Sequence, residues 1–222
     1  MSALAEGAAQ PRLKITEIFF SLQGEADSVG QPTVFVRLTG CPLRCTYCDT
    51  AYAFTGGEWL SLDQVMQRVG ALALRHVCVT GGEPLAQKAC LALLTRLCDA
   101  GYLVSLETSG ALDLQGVDPR VTKVVDVKTP RSGEAGRNLY SQLQTLLPQD
   151  QVKFVICDRA DYEWSRDCIE RLGLAGRQHL LFSPSAGQLP PRDLADWILA
   201  DRLPVRLQVQ LHKLLWGEEP GR

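Results

Sequence analysis

Cys41, Cys45 and Cys48 stand in one short run, C-P-L-R-C-T-Y-C, a C-x3-C-x2-C triplet. Thiolates this close repel one another unless a cation or a covalent bond holds them. In a secreted domain such cysteines pair as disulfides, and in a cytosolic one they often bind zinc. A closed zinc site needs four ligands, usually from paired C-x2-4-C hooks, and the nearest further cysteine is Cys78. Three thiolates fit another object, an iron–sulfur cluster with one iron left open to a small molecule. Asp49 and Thr50 follow directly and add hard oxygen donors that a structural zinc knuckle does not need. The spacing therefore favours a cluster over zinc without deciding between them.

Other polar runs carry chemistry of their own. Gly81-Gly82 before Glu83-Pro84 lets backbone approach a ligand closely, or makes an ordinary strand-to-helix turn. Glu107 and Asp126 follow apolar runs, where a carboxylate caps a helix, pairs with Arg37, or binds a ribose or an amine. Lys128 can neutralise a carboxylate. His212, beside Lys213, is a group that titrates near neutral pH or a simple polar rim. Cys78, Cys90, Cys98, Cys157 and Cys168 lie in apolar patterns and read as small buried hydrophobes.

The elements that must position these residues are strands alternating with helices. Apolar, β-branched runs predict strands at Val34–Leu38, His76–Val79, Leu103–Leu106, Val121–Val125, Val152–Ile156, His179–Phe182 and Val205–Val209. Helical spacing links Ala86, Cys90, Leu93, Leu94 and Leu97 up to a stop at Gly101. It also links Trp164, Cys168, Ile169 and Leu172 up to Gly173, and Leu194, Trp197 and Ile198. Ser61 predicts an N-cap for Leu62–Val69. Such alternation implies a parallel sheet with helical crossovers. A complete eight-fold barrel needs about 250 residues, so 222 residues suit an abridged, open (β/α) barrel in one domain. A flat doubly wound sheet lacks its G-x-G-x-x-G signal here. The cysteine loop, Thr80–Pro84, Glu107–Gly110, Asp126–Lys128, Ser183–Ser185 and Gln210–Lys213 all follow predicted strands, which in a barrel puts them on one face.

Bulk composition narrows the function. Lys and Arg total 23 against 25 Asp and Glu, a net charge of −2, which argues against electrostatic holding of nucleic acid and for a small-molecule substrate. No run approaches about 18 uninterrupted apolar residues, so no membrane span is expected. Residues 1–12 are rich in Ala and Gly without the basic start and apolar core of a signal peptide, and read as a loose tail; 217–222 read as a polar tail. Eight cysteines without a signal point to the reducing cytoplasm.

The triplet followed by Gly81-Gly82-Glu83-Pro84 resembles the radical S-adenosylmethionine (SAM) superfamily. Ser21–Glu25, Arg37–Cys41, Cys48-Asp49-Thr50, Glu107–Gly110 and Gln208–Lys213 are together similar to the 7-carboxy-7-deazaguanine synthases, over about Ile15–Trp216. The resemblance implies a lyase of queuosine biosynthesis, a tRNA modification pathway. It would convert 6-carboxy-5,6,7,8-tetrahydropterin to 7-carboxy-7-deazaguanine by hydrogen abstraction, ring contraction and ammonia loss. It further implies a [4Fe–4S] cluster, SAM as a regenerated cofactor, Mg²⁺, a homodimer and a flavodoxin-type electron donor. Carried onto this sequence, Cys41, Cys45 and Cys48 would ligate the cluster and Thr50 the Mg²⁺. Tyr47, Asp49, Gly82, Ser109, Asp126, Lys128 and Ser183 would contact SAM. Leu22, Gln23, Gly24, Glu25, Arg37, Thr80, Glu107 and His212 would surround the pterin. Arg37 is the natural partner for its carboxylate, because a guanidinium fork matches two oxygens. The competing readings are a glycyl-radical-enzyme activase, which shares the triplet, and a non-catalytic zinc or iron–sulfur binding module.

Overall fold

A computed structural model of the chain describes residues 10–217, 219 and 221. Among them, nine strands form one sheet in the order β3-β1-β2-β4-β5-β6-β7-β8-β9. The strands are β1 (Arg12–Leu22), β2 (Pro32–Leu38), β3 (Glu58–Ser61), β4 (His76–Gly81), β5 (Leu103–Thr108), β6 (Thr122–Asp126), β7 (Gln151–Ile156), β8 (His179–Pro184) and β9 (Arg206–Leu207). From β2 through β9 every neighbouring pair is parallel. At one edge β1 runs antiparallel to them, and β3 pairs antiparallel with β1. The result is an open (β/α) barrel with an antiparallel flap.

Helices α1 (Leu62–Ala71), α2 (Cys90–Asp99), α3 (Arg159–Leu172) and α4 (Pro191–Asp201) cover the outside, and α5 (Leu211–Trp216) follows the last strand. Two apolar clusters fill the space beneath the outer helices. One joins β1, β2, β4 and β5 to α1 and α2 through residues such as Leu13, Val36, Val65 and Leu93. The other joins β7 and β8 to α3 and α4 through Phe154, Tyr162, Phe182 and Leu194. Along β7 the alternation is plain: Val152, Phe154 and Ile156 enter this outer core, while Lys153 and Val155 face inward.

The local signals explain the element ends. Ser61 caps α1 and exchanges bonds with Gln64 in a capping box. Gly173 ends α3 in the left-handed conformation, φ 60°. Where the pattern predicts one helix from Ala86, Pro84–Ala86 instead forms a separate 3-10 turn and α2 begins at Cys90. β9 is shorter than Val205–Val209; beyond it the Gln208 N–H still donates to the Phe182 carbonyl at 2.9 Å, while its side chain grips Ala26, accepting from its N–H at 2.7 Å and donating to its carbonyl at 2.9 Å. The run Val34–Leu38 is the second strand, and Ser21 and Leu22 end the first. β1 interleaves Lys14, Thr16 and Glu17 with its apolar residues, and β3 has four residues, so neither shows a continuous apolar run. Arg12, the last residue of the expected N-terminal tail, opens β1. Residues 1–9 of that tail, and 218, 220 and 222 of the other, lie outside the described residues.

Because β1 is antiparallel, the loop after it (23–31) starts at the opposite end of the barrel from the cysteine loop. It crosses beneath the sheet. Asp27 accepts from Arg206 at 2.5 Å and pairs with His179, and its N–H donates to Gln151 at 3.0 Å. These three partners open β9, β8 and β7. The crossing holds Ala26 at φ 62°, a conformation that costs a non-glycine residue about 1 kcal/mol or more and that Gln208 fixes through both backbone groups.

On the other side, Asp161 in the first turn of α3 is fully buried. Its carboxylate accepts from the Arg131 and Cys157 N–H groups and from the Thr129 hydroxyl, at 3.0–3.1 Å. The chain so anchored supports the cysteine loop, since Thr46 donates to the carbonyls of Ser132 and Arg131. Removing an acceptor for three buried donors is costly. Asp161→Ala is expected to lose about 3 kcal/mol in urea denaturation, and to lose it with little change in the slope against denaturant.

Candidate active site

A cavity of about 610 Å³ opens where the parallel strands end, and Cys41, Cys45 and Cys48 border it. The cysteine loop is pressed against the turn after β4. Gly82 N–H donates to the Leu38 carbonyl at 3.0 Å and Glu83 N–H to the Gly40 carbonyl at 2.8 Å. A Cβ on Gly82 would stand 2.2 Å from the Gly40 oxygen, so only glycine permits this approach. Glu83 is fully buried. It accepts from Thr108 Oγ1 at 3.0 Å, Ser109 N at 2.7 Å, Ser109 Oγ at 2.5 Å and Leu85 N at 3.0 Å. One carboxylate thus locks the ends of β4 and β5 together behind the loop.

The three cysteines are half-buried and free of disulfides. Burial pushes the Cys45 thiol up to about 11, and Asp126, Cys48 and Cys41 add to this against the opposing Lys128. Burial also raises Cys41, with Glu83 and Cys48 contributing. Thiols that raise one another in this way fit a ligand carrying enough positive charge to take them as thiolates. Among the described residues no three His, Cys, Asp or Glu side chains converge on a single point; the cysteines border the cavity separately.

Deeper in the cavity the walls are charged. Arg37 donates to Glu17 at 2.6 Å, its cross-strand neighbour, with the Phe19 and Tyr52 rings beside its guanidinium. Tyr52 also donates to Glu17, at 2.8 Å. Arg37 therefore pairs with neither Glu107 nor Asp126, a correction to the pairing offered from sequence. Glu107 accepts from Gln23 at 3.3 Å and from Thr80 at 3.2 Å. Burial and the nearby Glu25 raise its pKa, and Lys153 and Arg37 pull the other way. Glu25 meets Lys153 at 2.5 Å and accepts from Gln210 at 2.8 Å. Asp126 holds Lys128 at 3.0 Å and Lys153 at 3.6 Å through Oδ2, while its buried Oδ1 has no protein partner. Burial works against the Asp126 carboxylate, but the two lysines outweigh it and hold its pKa below the usual range.

Two segments meet over this group. Gly24 lies so close to His212 that a Cβ there would fall 2.1 Å from Nδ1, and its carbonyl accepts from Leu211 N–H at 3.0 Å. Asp49 accepts from the Thr50 hydroxyl at 2.7 Å and faces Lys213 at 3.6 Å. Burial raises the Asp49 pKa, but Thr50, Lys213 and Lys153 more than offset this and the net shift is downward.

The cavity gathers the sequence-predicted residues with one exception. Leu22, Gln23, Gly24, Glu25, Arg37, Thr80, Glu107 and His212 line it, as do Tyr47, Asp49, Thr50, Gly82, Ser109, Asp126 and Lys128. Ser183 does not: it is buried inside β8, and Ser185, beyond the strand, lines the cavity in its place. Ser109 lines it, but its hydroxyl is committed to Glu83. The sequence reading passed over Glu17, Glu83, Lys153 and Gln210 as site residues. Lys153 had a visible signal, a lysine in the middle of an apolar strand, and Glu83 stood within a noted motif.

The Radical SAM superfamily model matches residues 35–183. The 7-carboxy-7-deazaguanine synthase of Chlorobaculum tepidum is 45% identical over 210 residues, covering 93% of this chain and 96% of that protein. The chain belongs to the 7-carboxy-7-deazaguanine synthase family of radical SAM proteins. The family member of Koribacter versatilis is 44% identical over 222 residues, 93% of this chain and 98% of its own. The crystal structure of QueE from Escherichia coli superposes with a TM-score of 0.75 at 25% identity, covering 90% of this chain and 95% of that one. Family membership implies a [4Fe–4S] cluster and SAM, and the donor set of Cys41, Cys45 and Cys48 fits such a cluster. Among the described residues no helix is long and apolar enough to cross a membrane.

The raised thiols carry a pH signature. In the metal-free protein, alkylation of Cys45 should be slow at neutral pH and climb with pH through about 11, because only the thiolate reacts. An ordinary exposed thiol would reach its plateau near about 8.5. Mass-spectrometric alkylation rates across pH 7–12 distinguish the two.

Proposed function

We propose that this chain converts 6-carboxy-5,6,7,8-tetrahydropterin to 7-carboxy-7-deazaguanine with release of ammonia, as a queuosine-pathway lyase. The observation that carries this reading is one cavity with a cysteine triplet on one wall and a set of opposed charges in its depth, Glu25 and Lys153 buried and Arg37 and Glu107 half-buried. When bound, the cluster and SAM supply the radical that abstracts hydrogen from the pterin. The protein supplies position and the exclusion of water.

Cys41, Cys45 and Cys48 would hold the cluster. Gly82 offers backbone at the closest approach to their loop, Tyr47 and Lys128 add polar contacts beside it, Ser109 lines it with its hydroxyl and N–H turned to Glu83, and the free Oδ1 of Asp126 is ready to accept from a ribose hydroxyl. Glu17 takes Arg37 Nε and leaves the terminal nitrogens for the pterin carboxylate. Gln23, Glu25, Thr80, Glu107 and His212 offer the mixture of donors and acceptors that a pterin edge requires, with Leu22 and Gly24 against its face. Glu107, held toward its neutral form, is suited to donate to a ring atom. Thr50, beside Asp49, would give oxygen to Mg²⁺, which usually keeps several non-protein ligands. The same reading makes the chain a single-domain cytoplasmic enzyme, working as a homodimer with a flavodoxin-type electron donor. The activase alternative has no support from the relatives, whose own names are those of synthases.

Anaerobic reconstitution with iron and sulfide, reduction, and incubation with SAM, Mg²⁺ and the pterin should yield 7-carboxy-7-deazaguanine without stoichiometric loss of SAM. Cleavage of SAM without that product would remove the substrate assignment. Cys45→Ala should abolish both iron loading and product while the thermal melt stays cooperative. In the same assay Thr50→Ala should mainly raise the Mg²⁺ concentration needed for half-maximal rate; an unchanged Mg²⁺ dependence would remove Thr50 as a ligand.

A further inference from the structure

Lys153 is buried at the centre of the cavity and belongs to no motif discussed above. It lies in the middle of β7, on the inward face, directly beside Asp126 in the register of β6 and β7. Its side chain is one-tenth exposed. Its ammonium touches two carboxylates that arrive from different parts of the fold: Glu25, at 2.5 Å, from the loop that crosses beneath the barrel, and Asp126, at 3.6 Å, from the end of β6. Gln210 continues the chain of contacts, donating to Glu25 at 2.8 Å and to Asp49 at 3.4 Å. Asp49, Glu25 and Asp126 are thereby linked across the cavity through Gln210 and Lys153. Both Glu25 oxygens are occupied, one by Lys153 and one by Gln210. Asp126 is held by one oxygen, and its other oxygen remains for a ligand.

We infer that Lys153 is a positioning residue that couples the two halves of the site, fixing Glu25 on the pterin side and Asp126 on the SAM side through one ammonium. This rests on the functional reading above for which ligand each carboxylate faces. A buried ammonium is costly without counter-charge, so displacing either carboxylate leaves it with one close partner and is opposed. A ligand that orders Glu25 therefore also orders Asp126. SAM should bind more tightly when the pterin is present, and the reverse.

The test uses the reconstituted protein as wild type, Lys153→Met, Lys153→Arg and the double variant Lys153→Met/Glu25→Gln. Four quantities are read: iron per chain, thermal midpoint, calorimetric affinity for SAM with and without the pterin, and the pH profile of kcat/KM. Lys153→Met should keep its iron, bind each ligand at least about tenfold more weakly, and lose the mutual strengthening of SAM and pterin. Lys153→Arg should recover most of both affinities. The groups facing Lys153 are Glu25, Asp126, Lys128, Glu107 and Asp49. Since Lys153 lowers the pKa of Asp126, which the site uses as a carboxylate, its removal raises that pKa. The acid limb of the profile should accordingly move to higher pH in Lys153→Met.

A folded Lys153→Met with wild-type affinities, wild-type coupling and an unmoved acid limb would overturn the inference while leaving the functional reading intact. If that variant does not fold, the double variant, which strands no Glu25 charge, is read in its place. Failure of both to fold would make Lys153 a structural residue and overturn the inference. Wild-type protein that binds SAM but no pterin would sink the functional reading, and this inference with it.

Discussion

A charge buried in protein must find its opposite, and in this barrel that demand falls on Lys153. Its ammonium sits where water is scarce, and removing such an ion from water costs several kcal/mol. Asp126 lies on the neighbouring strand and also answers to Lys128. The remaining counter-charge comes from Glu25, whose loop starts at the far edge of the sheet. For Glu25 to arrive, the loop after β1 must cross beneath the barrel, Ala26 must adopt a left-handed backbone, and Asp27 must be tied to the beginnings of the last three strands. Much of the arrangement at that end follows from satisfying one ammonium.

The sheet separates two jobs by the simple alternation of a strand. Outward residues fill two apolar clusters beneath the helices, and these carry the hydrophobic contribution to stability. Inward residues line a cavity rich in charge. The division frees the interior from packing duty, because the outer layer alone can bury the apolar side chains. It also explains why the inner charges come as pairs and short chains: Arg37 with Glu17, Glu25 with Lys153, Asp126 with Lys128. Each pair limits the positions its members can take, so less reorganisation is needed at the moment of binding.

What could be read from sequence followed from local physics. Parallel strands buried on both faces are continuous apolar runs, so β2 and β4 through β8 were legible, and Ser61 and Gly173 marked helix ends through capping chemistry. β1 was not, because its pattern mixes Lys14, Thr16 and Glu17 into an edge strand, and β3 is too short to stand out. Site residues after strand ends were legible because barrel topology sends those ends to one face. Lys153 and Glu17 escaped because their roles depend on partners 128 and 20 positions away. Ser183 was expected at the cavity from its place after an apolar run; the strand runs on through Pro184, and the serine that lines the cavity is Ser185, two positions later.

The cysteine loop and the loop after β1 approach the cavity from opposite ends of the barrel, and they are anchored independently. The first is held by the turn after β4 and by the chain fixed to Asp161; the second is held by Asp27, Gln208 and the openings of the last strands. This is a floor and a ceiling built as separate parts. Replacing the floor would change what the cavity accepts, and would reach the ceiling, where a reactive group is generated, through the contacts that Gln210 and Lys153 make with both sides. A fold made this way can exchange substrates by exchanging one loop, provided the new loop brings a carboxylate to the lysine that waits for it.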